Sequence, residues 1–230
     1  MKNSKSAFTL AEVLITLGII GVVAALTMPS LITNYRKKQT VAQLKKVYSE
    51  LSQAAQMSVV QNGDMKNWNY NSSGEEFFNT YLSNFIKMSS QTVEDAKKYG
   101  IAYTRPSGAE EVSFTNLYDS GKILTLASGT QILMDTVSYS TTQTYLVDLN
   151  GFKKPNRIGV DVFALTVTPD GVQTFKWDDS ESLSVKRDRE ALHNGPSREG
   201  YQCNKNSRGM WCAAMIEKDG WEIKNDYPWK

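Results

Sequence analysis

The side chain best placed to do chemistry in this 230-residue chain is the carboxylate of Glu12, because everything around it is apolar. It is the one charge between Phe8 and Leu26, and Val13 to Met28 carries none. A carboxylate inside a bilayer-spanning helix costs about 2.5–3.5 kcal/mol on insertion scales. Glu12 therefore needs a partner. Elsewhere the chemical inventory is thin. The single histidine, His193 in Leu192-His193-Asn194-Gly195, is the sole imidazole base for a catalytic serine, and its setting reads as an exposed loop. The sequence has no Gly-rich phosphate loop, no Gly-x-Ser-x-Gly turn and no histidine pair for a metal. These gaps point away from an enzyme. A membrane-anchored hydrolase stays as a remote alternative, since the geometry of a carboxylate pair is set by the fold.

The elements that position Glu12 begin with a polar leader, residues 1–7, holding Lys2 and Lys5. An apolar run follows, and it has three readings. As a secretory signal it would have a basic start and a small-residue cleavage site at Ala24-Ala25, but 19 apolar residues from Phe8 to Leu26 exceed the usual 7–15. As a plain uncleaved anchor its length suits a bilayer, which takes about 20 residues, but Glu12 has no explanation. The third reading is a resemblance. A Lys-containing leader, a small residue, then Phe8-Thr9-Leu10-Ala11-Glu12-Val13-Leu14-Ile15 resembles the processing site of type IV prepilins and type II secretion pseudopilins. Ala7 departs from the glycine usual before the cut, while Gly18, Gly21 and Pro29 stand where many pilins loosen the helix.

That resemblance implies cleavage between Ala7 and Phe8 by a membrane prepilin peptidase, followed by N-methylation of Phe8. It implies that Glu12 of an incoming subunit pairs with the new amine of its neighbour during assembly. Removing one partner of a buried ion pair typically costs about 3–5 kcal/mol, so the carboxylate would set subunit register rather than catalyse. The implied partners are the peptidase, other pilin or pseudopilin subunits, an inner-membrane assembly platform and the lipid bilayer. The implied location is the bacterial inner membrane, single-pass, with the head in the periplasm or outside the cell, and then a filament.

Beyond Pro29, the basic collar Arg36-Lys37-Lys38 suits a membrane surface. Val41, Leu44, Val47, Tyr48, Leu51, Ala54, Ala55 and Val59 then recur at spacings of three and four, with Lys45, Lys46, Glu50, Gln53 and Gln56 opposite. This predicts an amphipathic helix, packed on a globular head and stopped at Asn62-Gly63. A helix from Phe8 to Gln61 would run about 80 Å at 1.5 Å per residue, with Pro29 expected to bend or melt it. The expected organisation is a leader at 1–7, a transmembrane and assembly helix at 8–32, its amphipathic half at 33–61, and a head at 62–230.

Within the head, Glu75 to Ile86 has helical spacing at Phe78, Leu82, Phe85 and Ile86, with Ser72 and Ser73 as capping candidates. Another turn or two of helix is expected over Val93–Tyr99. From Val112 the period shifts toward two. Lys122–Leu126 and Thr130–Met134 flank Ser128-Gly129, and Asp161–Val167 and Val172–Trp177 flank Pro169-Asp170-Gly171, so both pairs predict hairpins. Thr144–Asp148 predicts a further strand. Together these give an α+β fold, pilin-like, with a long N-terminal helix on an antiparallel sheet.

The stretch Val147-Asp148-Leu149-Asn150-Gly151 through Pro155-Asn156-Arg157-Ile158-Gly159-Val160-Asp161 resembles a segment common in pilin-like heads. Asp148, Asn150 and Asp161 offer oxygens that could bind calcium, although an EF-hand pattern with its bidentate Glu is absent. The plainer reading is that Asp148 and Asn150 shape the turn before Gly151. No other cofactor is expected.

The tail holds the two cysteines, Cys203 and Cys212. If the head is exported, as the resemblance implies, they form a disulfide closing a ten-residue loop. Zinc would need more ligands than one distant histidine supplies. Trp211-Cys212-Ala213-Ala214 and Gly220-Trp221 resemble the end of a bacterial prepilin-type group, with Trp221 and Trp229 expected on a strand that closes the sheet. Charged residues at 22% and aromatics at 10% describe an ordinary folded chain. Without Lys2 and Lys5 the balance is 24 basic to 24 acidic residues, so there is no electrostatic case for nucleic acid. The function expected is a structural subunit, a minor pilin or pseudopilin. The alternative is a binding or adhesion module at a filament tip or surface, touching a secreted substrate, a host surface or DNA.

Overall fold

The computed structural model describes residues 9–89, 94–95, 102–110, 122–134, 141–177 and 185–229. Two compact units divide the chain, residues 1–39 and 40–230.

Helix α1 runs over Leu10–Asn62. Its first part, in the smaller unit, is apolar all round: Leu10, Leu14, Leu26 and Leu31 are each at least 60% exposed. Pro29 lies inside the helix, which continues through it, correcting the expected melt. Proline removes one backbone donor, whereas a melted turn in an apolar setting would strand several backbone groups. The end falls at the glycine the sequence marks. Gly63 takes the left-handed conformation, φ +79°, and its N–H donates to the Val59 carbonyl at 3.0 Å.

In the larger unit, Leu44, Val47, Leu51, Ala54, Ala55 and Ser58 of α1 are buried, the face predicted by the three–four spacing. Tyr48 reaches across to donate to the Val172 carbonyl at 3.1 Å. Next comes α2, Gly74–Tyr81, capped by the Ser73 hydroxyl, which accepts from the Glu76 N–H. Trp68 stacks on Tyr81 with ring centroids 4.5 Å apart, and Phe77 and Phe78 are fully buried, so these aromatics are core.

Among the described residues, six strands form one antiparallel sheet in chain order: β1 Glu94–Asp95, β2 Lys122–Thr125, β3 Gln131–Met134, β4 Gln143–Asp148, β5 Val162–Thr168 and β6 Gly171–Thr174. Both predicted hairpins form, with Thr125 opposite Gln131 and Thr168 opposite Gly171. Every residue of β5 is buried, so both faces of the sheet are covered along that strand. Glu94–Asp95 is strand where helix was expected; the pairing with Ile123 and Lys122 overrides local propensity. The rest of that expected helix lies outside the described residues.

Two short helices close the chain, α3 Arg189–Asn194 and α4 Cys212–Lys218. Residues 219–229, which carry Trp221 and Trp229, follow the last helix as turns and do not close the sheet as a strand. Helix α4 buries Cys212, Ala213, Ala214, Met215 and Ile216 in succession and touches β5 and β6. Trp221 follows Gly220 with φ +63° and lies 5.4 Å from the Tyr48 ring, while Trp229 packs on the core.

Candidate functional site

The amino-terminal end of α1 is held by a reciprocal cap. Thr9 donates to Glu12 Oε2 from both its backbone N–H and its hydroxyl, each at 2.8 Å. The Glu12 N–H returns a bond to Thr9 Oγ1 at 3.2 Å. This is a capping box, with Glu12 three residues past the capping threonine. Such a cap stabilises a helix start by about 1 kcal/mol. Thr9 is the site residue that the sequence reading passed over; the Thr-x-x-Glu spacing was the available signal. Both bonds fall on Oε2, so Oε1 keeps its lone pairs for a further donor. Ala7 and Phe8, the expected cleavage and methylation positions, lie outside the described residues. By length and composition α1 is apolar enough to cross a membrane.

The second candidate region joins β4, β5 and the loop between them. Asp148 and Asp161 are 2% and 5% exposed. Asp161 is tied down by three donors: the Arg157 N–H reaches Oδ1 at 2.6 Å, and the Asn156 N–H and Asn150 Nδ2 both reach Oδ2 at 3.0 Å. Asp148 receives a long bond from the Asn150 N–H to Oδ1, 3.3 Å, and the Gly151 backbone N–H also favours its charged form. Burial and the neighbouring Asp161 push Asp148 up to about 8, and burial raises Asp161 as well, against its hydrogen bonds. The structure thus brings the three calcium candidates together. Among the described residues, no group of three or more His, Cys, Asp or Glu side chains could hold a metal ion. Any cation here would rely on carboxamide oxygens as well.

The tail locks this loop from outside. Cys203 and Cys212 form the expected disulfide. Gly159, φ +81°, presses against it: a Cβ there would lie 2.8 Å from Cys212 Sγ. Tyr227 donates to the Gly159 carbonyl at 2.6 Å. His193, expected in an exposed loop, sits instead in the last turn of α3, half-buried, with Nδ1 3.1 Å from Asn194 Nδ2.

Comparison with known proteins agrees with the first region. Residues 2–28 match the prokaryotic N-terminal methylation motif. With the long apolar helix and antiparallel sheet, that defines the class as a pilin- or pseudopilin-type subunit. More narrowly, residues 30–230 match a family of unknown function (DUF6613), and the chain belongs to that family. No curated protein and no solved structure matches it.

Proposed function

We propose that the chain is a minor pilin or pseudopilin of a type IV pilus-like or type II secretion-like filament. The single observation that carries this is Glu12, capped at the start of an apolar helix within a methylation motif. On this reading a prepilin peptidase cuts between Ala7 and Phe8, and the new amine at Phe8 is methylated. The segment 8–32 anchors the subunit in the inner membrane with the head on the periplasmic side. On assembly at an inner-membrane platform, Glu12 Oε1 accepts from the amine of a neighbouring subunit, while Oε2 keeps the Thr9 cap. An apolar surround makes that charge-assisted bond strong and its loss costly. The size of the 40–230 unit favours a minor subunit over the bulk one. The head serves the filament by packing and display, not by catalysis.

Glu12→Gln separates the two duties of this side chain, because a carboxamide oxygen still caps but carries no charge. Sheared filaments should contain neither Glu12→Gln nor Glu12→Ala protein when the wild type co-assembles. Normal incorporation of Glu12→Gln contradicts the ion-pair role.

A further inference from the structure

Between Glu12 and Glu50 the sequence has no acidic residue, and Val13 to Tyr35 carries no charge of either sign. Those 23 residues span about 35 Å as helix, against a hydrocarbon core of roughly 30 Å. Arg36, Lys37 and Lys38 follow at once. Because α1 runs unbroken from Leu10 to Asn62, the three stand at headgroup depth whenever the apolar stretch spans a bilayer. Consecutive helical residues turn by about 100°, so their side chains fan over more than half of the helix circumference. Their charge is uncompensated along the helix. Glu50 lies 12 positions beyond Lys38, about 18 Å, and is already engaged by Lys46 at 3.7 Å.

The residues leading into this collar grade in polarity. Leu31, Ile32, Tyr35, Arg36 and Gln39 line one shallow groove along α1, at the spacing of a single helical face. Along it, exposed aliphatic side chains give way to the Tyr35 ring, 68% exposed, and then to a guanidinium and a carboxamide. Acyl chain, interface and headgroup follow one another in the same order through a lipid leaflet. Leu31 to Gln39 covers about 12 Å of rise, enough to pass from the hydrocarbon into the headgroups.

We propose that this end of the apolar segment binds anionic phospholipid, with Leu31 and Ile32 along an acyl chain, the Tyr35 ring at the interface, and Arg36, Lys37 and Lys38 on the headgroup phosphates. A guanidinium grips a phosphate through two parallel N–H bonds, and the lysines add point charges from around the helix. A zwitterionic lipid brings its own ammonium to the same place, so a headgroup of net negative charge, such as phosphatidylglycerol, is preferred. Bound lipid relieves the repulsion among three adjacent cations and fixes the depth of α1 in the leaflet. The site rests on the membrane anchor of the reading above, and it needs neither processing nor assembly.

The test reconstitutes the full chain in phosphatidylcholine vesicles holding a trace of spin-labelled phosphatidylglycerol or spin-labelled phosphatidylcholine. Electron spin resonance reads the share of each label immobilised on the protein. At low salt phosphatidylglycerol should be held at least threefold more strongly than phosphatidylcholine, and the ratio should fall toward one at 1 M salt, where the screening length is about 3 Å. Arg36→Gln with Lys37→Gln and Lys38→Gln should bring the low-salt ratio to one. Arg36→Lys keeps the charge but loses the two-pronged grip, so it should lower the ratio without abolishing it. Lys45→Gln with Lys46→Gln, seven and eight positions past Lys38, should leave the ratio unchanged. Insertion without a headgroup preference overturns the site alone, as does a preference that survives the triple change or falls equally with the Lys45 and Lys46 pair. A chain that enters vesicles of neither lipid overturns the anchor and the site together.

Discussion

Thr9 and Glu12 satisfy each other: one carboxylate oxygen takes two bonds from Thr9, and the Glu12 N–H returns one to the threonine hydroxyl. The one charge in the apolar segment is thereby also the cap of its helix. Thr9→Val is close in shape and removes the hydroxyl. It should speed amide exchange in the first turn of α1 by roughly tenfold, the equivalent of about 1.4 kcal/mol, while Thr9→Ser restores protection. Equal exchange in Thr9→Val and wild-type protein would show that the cap carries no weight.

Gly159 is required both for its backbone and for its missing side chain. Alanine there would meet the positive φ and the Cys212 sulfur at once. Gly159→Ala should destabilise the larger unit by about 3 kcal/mol, combining left-handed strain with overpacking. A thermal melt with Tm within a degree of the wild type would show that the loop and the tail separate freely.

The disulfide contributes mainly by restricting the unfolded chain. Reduction, or Cys203→Ser together with Cys212→Ser, should cost about 2–3 kcal/mol for a loop of this size. Melting with and without a thiol reductant reads the difference directly; identical curves would remove the bond from the account of stability.

Arg189 bridges α3 to the tail, with Nε 2.6 Å from Asp219 and a two-pronged contact to Asp226 at 2.6 and 2.8 Å. Its hydrogen bonds hold the Asp226 carboxyl below its ordinary value of 3.8. A depressed folded pKa stabilises above the unfolded value, and the contribution is lost as pH falls through the folded one. Asp226→Asn should therefore leave a shallower fall in stability below pH 3.8 than the wild type shows. Arg189→Ala should be the harsher change at neutral pH, because the Asp219 side chain, 1% exposed, keeps only Lys224. Parallel acid limbs for wild type and Asp226→Asn would remove Asp226 from the pH response.

What the sequence made legible was local. The turn chemistry of Ser128-Gly129 and Pro169-Asp170-Gly171 identified two hairpins, and Asn62-Gly63 identified the end of α1. The apolar spacing from Leu44 to Ala55 named the buried face. The misses were non-local. Glu94–Asp95 joins the sheet through residues about thirty positions away. Helix α4 is buried along five successive residues, and an unbroken apolar run carries no period by which to separate helix from strand. At the acidic loop, Asp148, Asn150 and Asp161 were visible as a motif. That the backbone N–H groups of Asn156 and Arg157 hold Asp161 was not, because a left-handed turn at Asn156 aims them at the carboxylate.

The central claim, that the apolar helix belongs to a processed filament subunit, is tested most directly by the intact mass of the native protein. The account predicts a chain beginning at Phe8, lacking residues 1–7 and carrying one added methyl group. A chain still beginning at Met1, or one cut after Ala25, contradicts it.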